Sequence, residues 1–174
     1  MHTITASSAI ALLIQGQPLI DIHVSGNLDL FKGLEDPFNR EIIIKNCHIE
    51  NLIAPTIEFQ KPVRFIRTSF EKCQFHAAYF IAGLDMRECI FETYLDFEAG
   101  GHNKPPNPIH IESCQFKEFV NFFDCWFQGP VTIKNNTFEK GTNLLGNLDK
   151  PYSAQFDETP EIKDNTGKLN LNDD

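Results

Sequence analysis

From Ile44 onward, large apolar side chains return every five or six residues: Ile44, Ile49, Phe59, Phe65, Phe70, Phe75, Phe80, Met86, Phe91, Phe97, Ile111, Phe116, Phe122, Phe127, Ile133 and Phe138, with Ala54 in the one small slot. Two residues before each of them stands a second series: Ile42, Cys47, Leu52, Ile57, Val63, Thr68, Cys73, Ala78, Leu84, Cys89, Leu95, Ile109, Cys114, Val120, Cys125, Val131 and Asn136. No charged residue falls in either series. Two inward positions separated by one outward position mark a very short strand, and a recurrence near five means that the chain turns a corner after each strand. A helix, with its period of about 3.6, cannot bury this pattern.

Four such corners close a coil of about 21 residues, and coils stacked as parallel strands form a solenoid whose interior is filled by the recurring Phe and Ile. The expectation is an all-β, right-handed quadrilateral parallel β-helix of about five coils with a short N-terminal capping helix. Three segments follow. Residues 1–41 supply a helix at 6–15, capped by Ser7 or Ser8, and an irregular first coil. Residues 42–148 form the regular solenoid, with a loop insertion at 98–108 that replaces the fourth side of the third coil. Residues 149–174 are a polar tail or cap, in which Tyr152, Phe156 and the alternating GKLNLN stretch can dock on the last coil. Caps are required, because a bare β-helix end is an exposed sheet edge.

The cleanest stretch, FIRTSFEKCQFHAAYF, resembles the pentapeptide-repeat family, in which a central Phe or Leu follows a small Ala or Cys by two residues. The resemblance covers about residues 42–138 and implies the quadrilateral β-helix. The chain departs from the family pattern in its six-residue steps, in the β-branched or Leu residues at many of the earlier positions, and in the 98–108 insertion.

Composition narrows the chemistry. The five cysteines are odd in number and not spaced as CxxC, so neither a disulfide framework nor a zinc clamp is expected, and all five belong to the inward series. No apolar run is long enough to span a membrane, and Ala9 to Ile14 lacks the flanks of a secretory signal; a cytoplasmic, soluble protein is the expectation. A net charge of −9 argues against direct binding of nucleic acid or an anionic membrane.

Candidate sites were weighed by register. His48, His76 and His110 point outward on different sides, so no metal or general-base cluster is expected. Catalytic residues, metal ligands and cofactors are all expected to be absent. Opposite charges fall on adjacent rungs at Arg64 and Asp85, Arg87 and Glu112, and Glu112 and Lys134, while Glu50, Glu71 and Glu92 stack like charges. Outward aromatics carry more information. Tyr79 and Trp126 occupy outward positions on the fourth side and Phe123 points out from the third nearby. The inserted Gly100, Gly101 and His102 lie between them in register, and these six residues form the candidate interface. Tyr94 and Phe119 share a corner and are expected to stack on each other.

The reading these observations support is a non-catalytic protein-protein interaction or structural module with an unidentified protein partner, and self-association through a rod end as an alternative use of the scaffold. The family resemblance implies another function, a DNA-mimicking binder of DNA gyrase or another topoisomerase. A mimic needs dense negative charge along the rod, yet residues 42–138 carry 11 Asp and Glu against 9 Lys and Arg; the excess lies in 1–41 (5 against 2) and 139–174 (8 against 4). A polysaccharide-cleaving β-helix would need a carboxylate-lined groove, and Asp85, Asp96 and Asp124 fall on different sides or rungs.

Overall fold

A computed structural model describes residues 1–148 and 150–172. The chain winds as a parallel β-solenoid of about six turns, closed at its N-terminal end by a helix. Side one stacks Leu19–Ile20, Ile42–Lys45, Val63–Ile66, Leu84–Arg87, Ile109–Glu112, Val131–Lys134 and Glu161–Lys163 in sequence order, every pairing parallel. Side two stacks His2–Thr5, Ile22–Asp29, His48–Ile53, Ser69–Gln74, Ile90–Phe91, Gln115–Phe116 and Thr137–Phe138. The distal halves of the longer strands bend into side three, which Leu95–Asp96 and Val120–Asn121 continue, and Val120 bridges Thr142. Side four runs through Phe38, Glu58–Phe59, Tyr79–Phe80, Gly101, Trp126–Phe127 and Gln155–Phe156.

In-register stacking puts equivalent positions over one another, and much of the interior is built from aromatic columns. Phe70, Phe91, Phe116 and Phe138 stack with centroids 5.0, 5.0 and 4.8 Å apart and ring planes within 9°. Phe75, Phe97 and Phe122 form a second column at 5.2 and 5.1 Å. These separations match the strand spacing of about 4.8 Å, so ring contact and ladder hydrogen bonding are satisfied by one geometry. Side one carries a mainly aliphatic column, Leu19, Ile44, Met86, Ile111 and Ile133 with Phe65 among them, all buried.

The corner between sides one and two is made in each coil by a residue in the left-handed region: Asp21, Asn46, Arg67, Glu88, Ser113, Asn135 and Asp164, with φ between 48° and 57°. Behind it sits the small residue of the earlier series, whose side chain satisfies a carbonyl of the preceding coil. Cys47 Sγ donates to Leu19 O, Thr68 Oγ1 to Ile44 O, Cys89 Sγ to Phe65 O, Cys114 Sγ to Met86 O, and Asn136 Nδ2 to Ile111 O. Cys, Thr and Asn all serve here because each is small and carries a donor at the right reach.

Two expectations change and a third, left between two alternatives, is decided. The turns number about six, not five, because the first coil and the tail keep the ladder without keeping the Phe pattern; backbone pairing does not need the consensus side chain. The segment expected as a polar tail or cap takes the second form: it adds Gln155–Phe156 and Glu161–Lys163 to sides four and one, with Phe156 docked on Phe127 at 5.2 Å. The insertion at 98–108 is also smaller than expected. Gly101 bridges both Tyr79 and Trp126, so side four is continuous, and only the stretch after His102 leaves the coil.

The cap helix Ala6–Ile14 buries Ala9 and Leu13 against the first coil. Its N-cap is Thr5 rather than Ser7 or Ser8: Thr5 ends the strand His2–Thr5 with extended backbone, which leaves its hydroxyl free to accept from Ser8 N at 3.3 Å. No described helix is long and apolar enough to cross a membrane.

Candidate functional site

Five of the six interface candidates meet on side four. The outward register runs Glu58, Tyr79, Gly101, Trp126, Gln155. Gly101 supplies no side chain, and the ring of His102 fills that rung instead. It lies 3.9 Å from the Tyr79 ring and 5.6 Å from the Trp126 ring, so three aromatic groups form one strip across three coils. Gly101 has φ +97°, and a Cβ there would stand 2.7 Å from Trp126 O and 3.1 Å from the Phe127 ring, so glycine is required both for the backbone and for the space. Gly100 donates to Phe97 O and accepts from Trp126 N, which makes it a rung of the ladder.

The strip is partly roofed. Trp126 remains 40% exposed, while Tyr79 and His102 are half-buried by their neighbours. Trp126 Nε1 donates to Asp157 Oδ1 at 2.9 Å. Phe123, round the corner on side three, packs against Tyr152 at 5.5 Å, and Tyr152 is itself 51% exposed. The C-terminal segment thus extends the aromatic surface rather than hiding it. Burial holds the His102 imidazole below its ordinary value of 6.5, against the opposing pull of Asp124 and Glu58. At neutral pH the strip is an uncharged aromatic edge bordered by Glu58, Asp124 and Asp157.

The glutamates expected to repel one another on side two are each matched to a base. Glu50 Oε1 meets His23 Nε2 at 3.1 Å and its second oxygen accepts from Gly26 N at 2.7 Å; Glu71 meets His48 Nε2 at 3.0 Å; Glu92 binds Lys117 at 2.7 Å. The backbone N–H of Gly26, followed by His23, holds the Glu50 carboxyl below the usual range. On side one the expected Glu112 and Lys134 contact forms at 3.4 Å. Arg64 instead pairs with Glu41 of the preceding coil at 2.8 Å, and Arg87 with Asp85 on its own strand at 2.7 Å, a spacing of about 6.6 Å along the strand that the long Arg side chain spans. Tyr94 and Phe119 stack at 6.3 Å and 11°, as their shared corner predicts.

The five thiols are free and buried. Burial raises Cys47, Cys73, Cys89 and Cys125, which suits packing and disfavours thiolate chemistry.

One convergence was not anticipated by register. His76, Asp96 and Glu98 present ligand atoms within 4.8 Å of one another at the corner between sides three and four. The signal that could have revealed it is coil arithmetic: His76 and Glu98 sit one coil apart at equivalent positions, and Asp96 precedes Glu98 by two. Treating the chain after Phe97 as an interruption removed Glu98 from the register.

Compared with protein-family models, with curated proteins and with solved structures, the chain gives no match.

Proposed function

We propose that this chain is a non-catalytic interaction module of the pentapeptide-repeat type, which binds a protein partner through the aromatic strip of side four. The observation that carries the reading is Trp126, a large indole 40% exposed on a rigid rung, flanked by His102 and held by Asp157. Exposed aromatics fixed on regular strands cost little entropy when a partner orders them, which is why such residues anchor interfaces. The bordering carboxylates of Glu58, Asp124 and Asp157 add a preference for a basic partner, since a guanidinium can lie over the indole face while pairing with an acid at its rim.

Support for a non-catalytic role comes from how the histidines are used. His23 and His48 each contact a carboxylate one coil on, which ties adjacent rungs together, and His110 contacts Glu112 on its own strand. The gyrase-binding alternative has less in its favour, because Arg64, Arg87, Lys117 and Lys134 interleave the rod's acids with bases.

Trp126 is the only tryptophan, so its fluorescence reports the surface directly. Fractions of a soluble lysate, and separately a purified type II topoisomerase, are titrated against the chain. A saturable emission shift that weakens with salt and is lost with Tyr152→Ser supports the reading. Emission unmoved by every fraction sinks it, and a shift produced by the topoisomerase alone transfers the conclusion to the mimic.

A further inference from the structure

We infer that the corner formed by His76, Asp96 and Glu98 is a binding site for a single divalent transition-metal ion of the Zn2+ class. The inference is independent of the aromatic strip. His76 Nδ1 lies 3.4 Å from Asp96 Oδ2, close to the spacing of two ligands bound to one ion at about 2.0–2.2 Å each. Glu98 is drawn to the same point by Asn121. This amide, 6% exposed, sits on the next rung and donates through Nδ2 both to Asp96 Oδ1 and to Glu98 Oε2, each at 3.2 Å. Asn121 is fixed in turn, its Oδ1 accepting from Phe123 N at 3.0 Å and from Asn143 Nδ2 at 2.7 Å. A buried amide that orients two carboxylates, itself held by the rung beyond, is the outer shell that metal ligands need.

Charge points the same way. Two carboxylates meet one imidazole, and among the described residues no Lys or Arg pairs with either Asp96 or Glu98, whereas Glu50, Glu71, Glu92 and Glu112 each have a basic or imidazole partner. Asp96 and Glu98 also add to the negative field felt by the nearby buried Cys125 thiol. The side chains of His76 and Asp96 are 45% and 20% exposed, so the cluster is reachable from solvent and leaves coordination positions for water. One imidazole nitrogen with two carboxylates suits Zn2+ and its neighbours; Mg2+ and Ca2+ favour all-oxygen shells. An ion here would clamp His76 of one coil to Asp96 and Glu98 of the next.

The test is Zn2+ titration of the full chain, dialysed against chelator, by calorimetry, with Co2+ absorption as a second readout. The expected result is about one ion bound per chain, affinity lowered about tenfold or more in both His76→Gln and Glu98→Gln, and no change in His110→Gln. Each variant is checked by circular dichroism. The Co2+ spectrum of the unaltered chain should show ligand-field bands without a thiolate charge-transfer band, which answers the question even if a variant misfolds. Absence of saturable binding up to about 100 µM Zn2+, equal binding by His76→Gln and the native chain, or a thiolate spectrum would each overturn the assignment.

Discussion

At Gly101 one residue does what a loop was expected to do. Its φ of +97° and the 2.7 Å approach of Trp126 O leave no place for a Cβ, yet its N–H and C=O bond to Ala78 O and Phe80 N of the preceding coil, while Gly100 O and His102 N on either side of it bond to Trp126 of the next. Gly101→Ala should therefore destabilise the chain by roughly 1–3 kcal/mol, read from the urea midpoint, and shift Trp126 emission because His102 is displaced from its place beside the indole. His102 supplies a second expectation. Burial depresses its pKa in the folded state, so the unfolded chain binds the proton more readily and stability from this group is present above about pH 6.5 and lost as pH falls below it. The imidazole resonances of His102 should titrate with a midpoint below 6.5, and His102→Gln should flatten part of the stability loss between pH 7.5 and 5.5. A midpoint above 6.5 would show that Asp124 and Glu58 outweigh burial. The outward position of Tyr79 and Trp126 was legible from the alternation of the strands. The place of Gly100, Gly101 and His102 between them was legible too; what periodicity could not show is that Gly101 keeps the ladder and the His102 ring turns into the rung that it leaves vacant.

The recurrent element is a strand, a left-handed corner residue and a small buried residue that reaches back to the previous coil. Asn136 shows what the last of these contributes: its amide donates to Ile111 O at 3.0 Å and to Asn165 Oδ1 at 2.9 Å while accepting from Cys114 N at 2.8 Å. Asn136→Ala leaves Cys114 N–H and Ile111 C=O buried without these partners and should cost about 3 kcal/mol in chemical denaturation. Asn136→Thr should cost markedly less, since Thr68 fills the equivalent place three coils away and donates to Ile44 O. Equal losses for the two variants would mean that the column acts by volume and not by hydrogen bonding. The sequence displayed this position as uncharged, with Cys at several places and Thr68 and Asn136 at others. Their common property is a donor aimed at a carbonyl one coil back, which is a relation between coils rather than between residues near in sequence.

For the whole molecule, the ends differ. A helix covers the first coil, whereas the C-terminal side is closed by continued winding: Phe156 over Phe127, Glu161–Lys163 beside Val131–Lys134, and Thr166 bridged to Thr137. Truncation after residue 148 should expose Phe127, Ile133 and Phe138 together with an unpaired sheet edge, and light scattering should show self-association where the full chain stays monodisperse. A monodisperse, cooperatively folding truncation would show that those last rungs are dispensable. The sequence by itself determined the coil: the five-residue recurrence, the inward Phe columns and the continuous parallel stack follow from period and polarity, because burying each strand's inner pair admits only this winding. Only the tertiary structure decided the sites. That His76 meets Asp96 and Glu98, that the His102 ring fills the rung left vacant by Gly101, and that the C-terminal cap winds on as strands Gln155–Phe156 and Glu161–Lys163 all depend on corner geometry and on which coil lies above which. Side-chain convergence across coils is set by backbone stacking at about 4.8 Å, a distance that no local pattern of residues encodes.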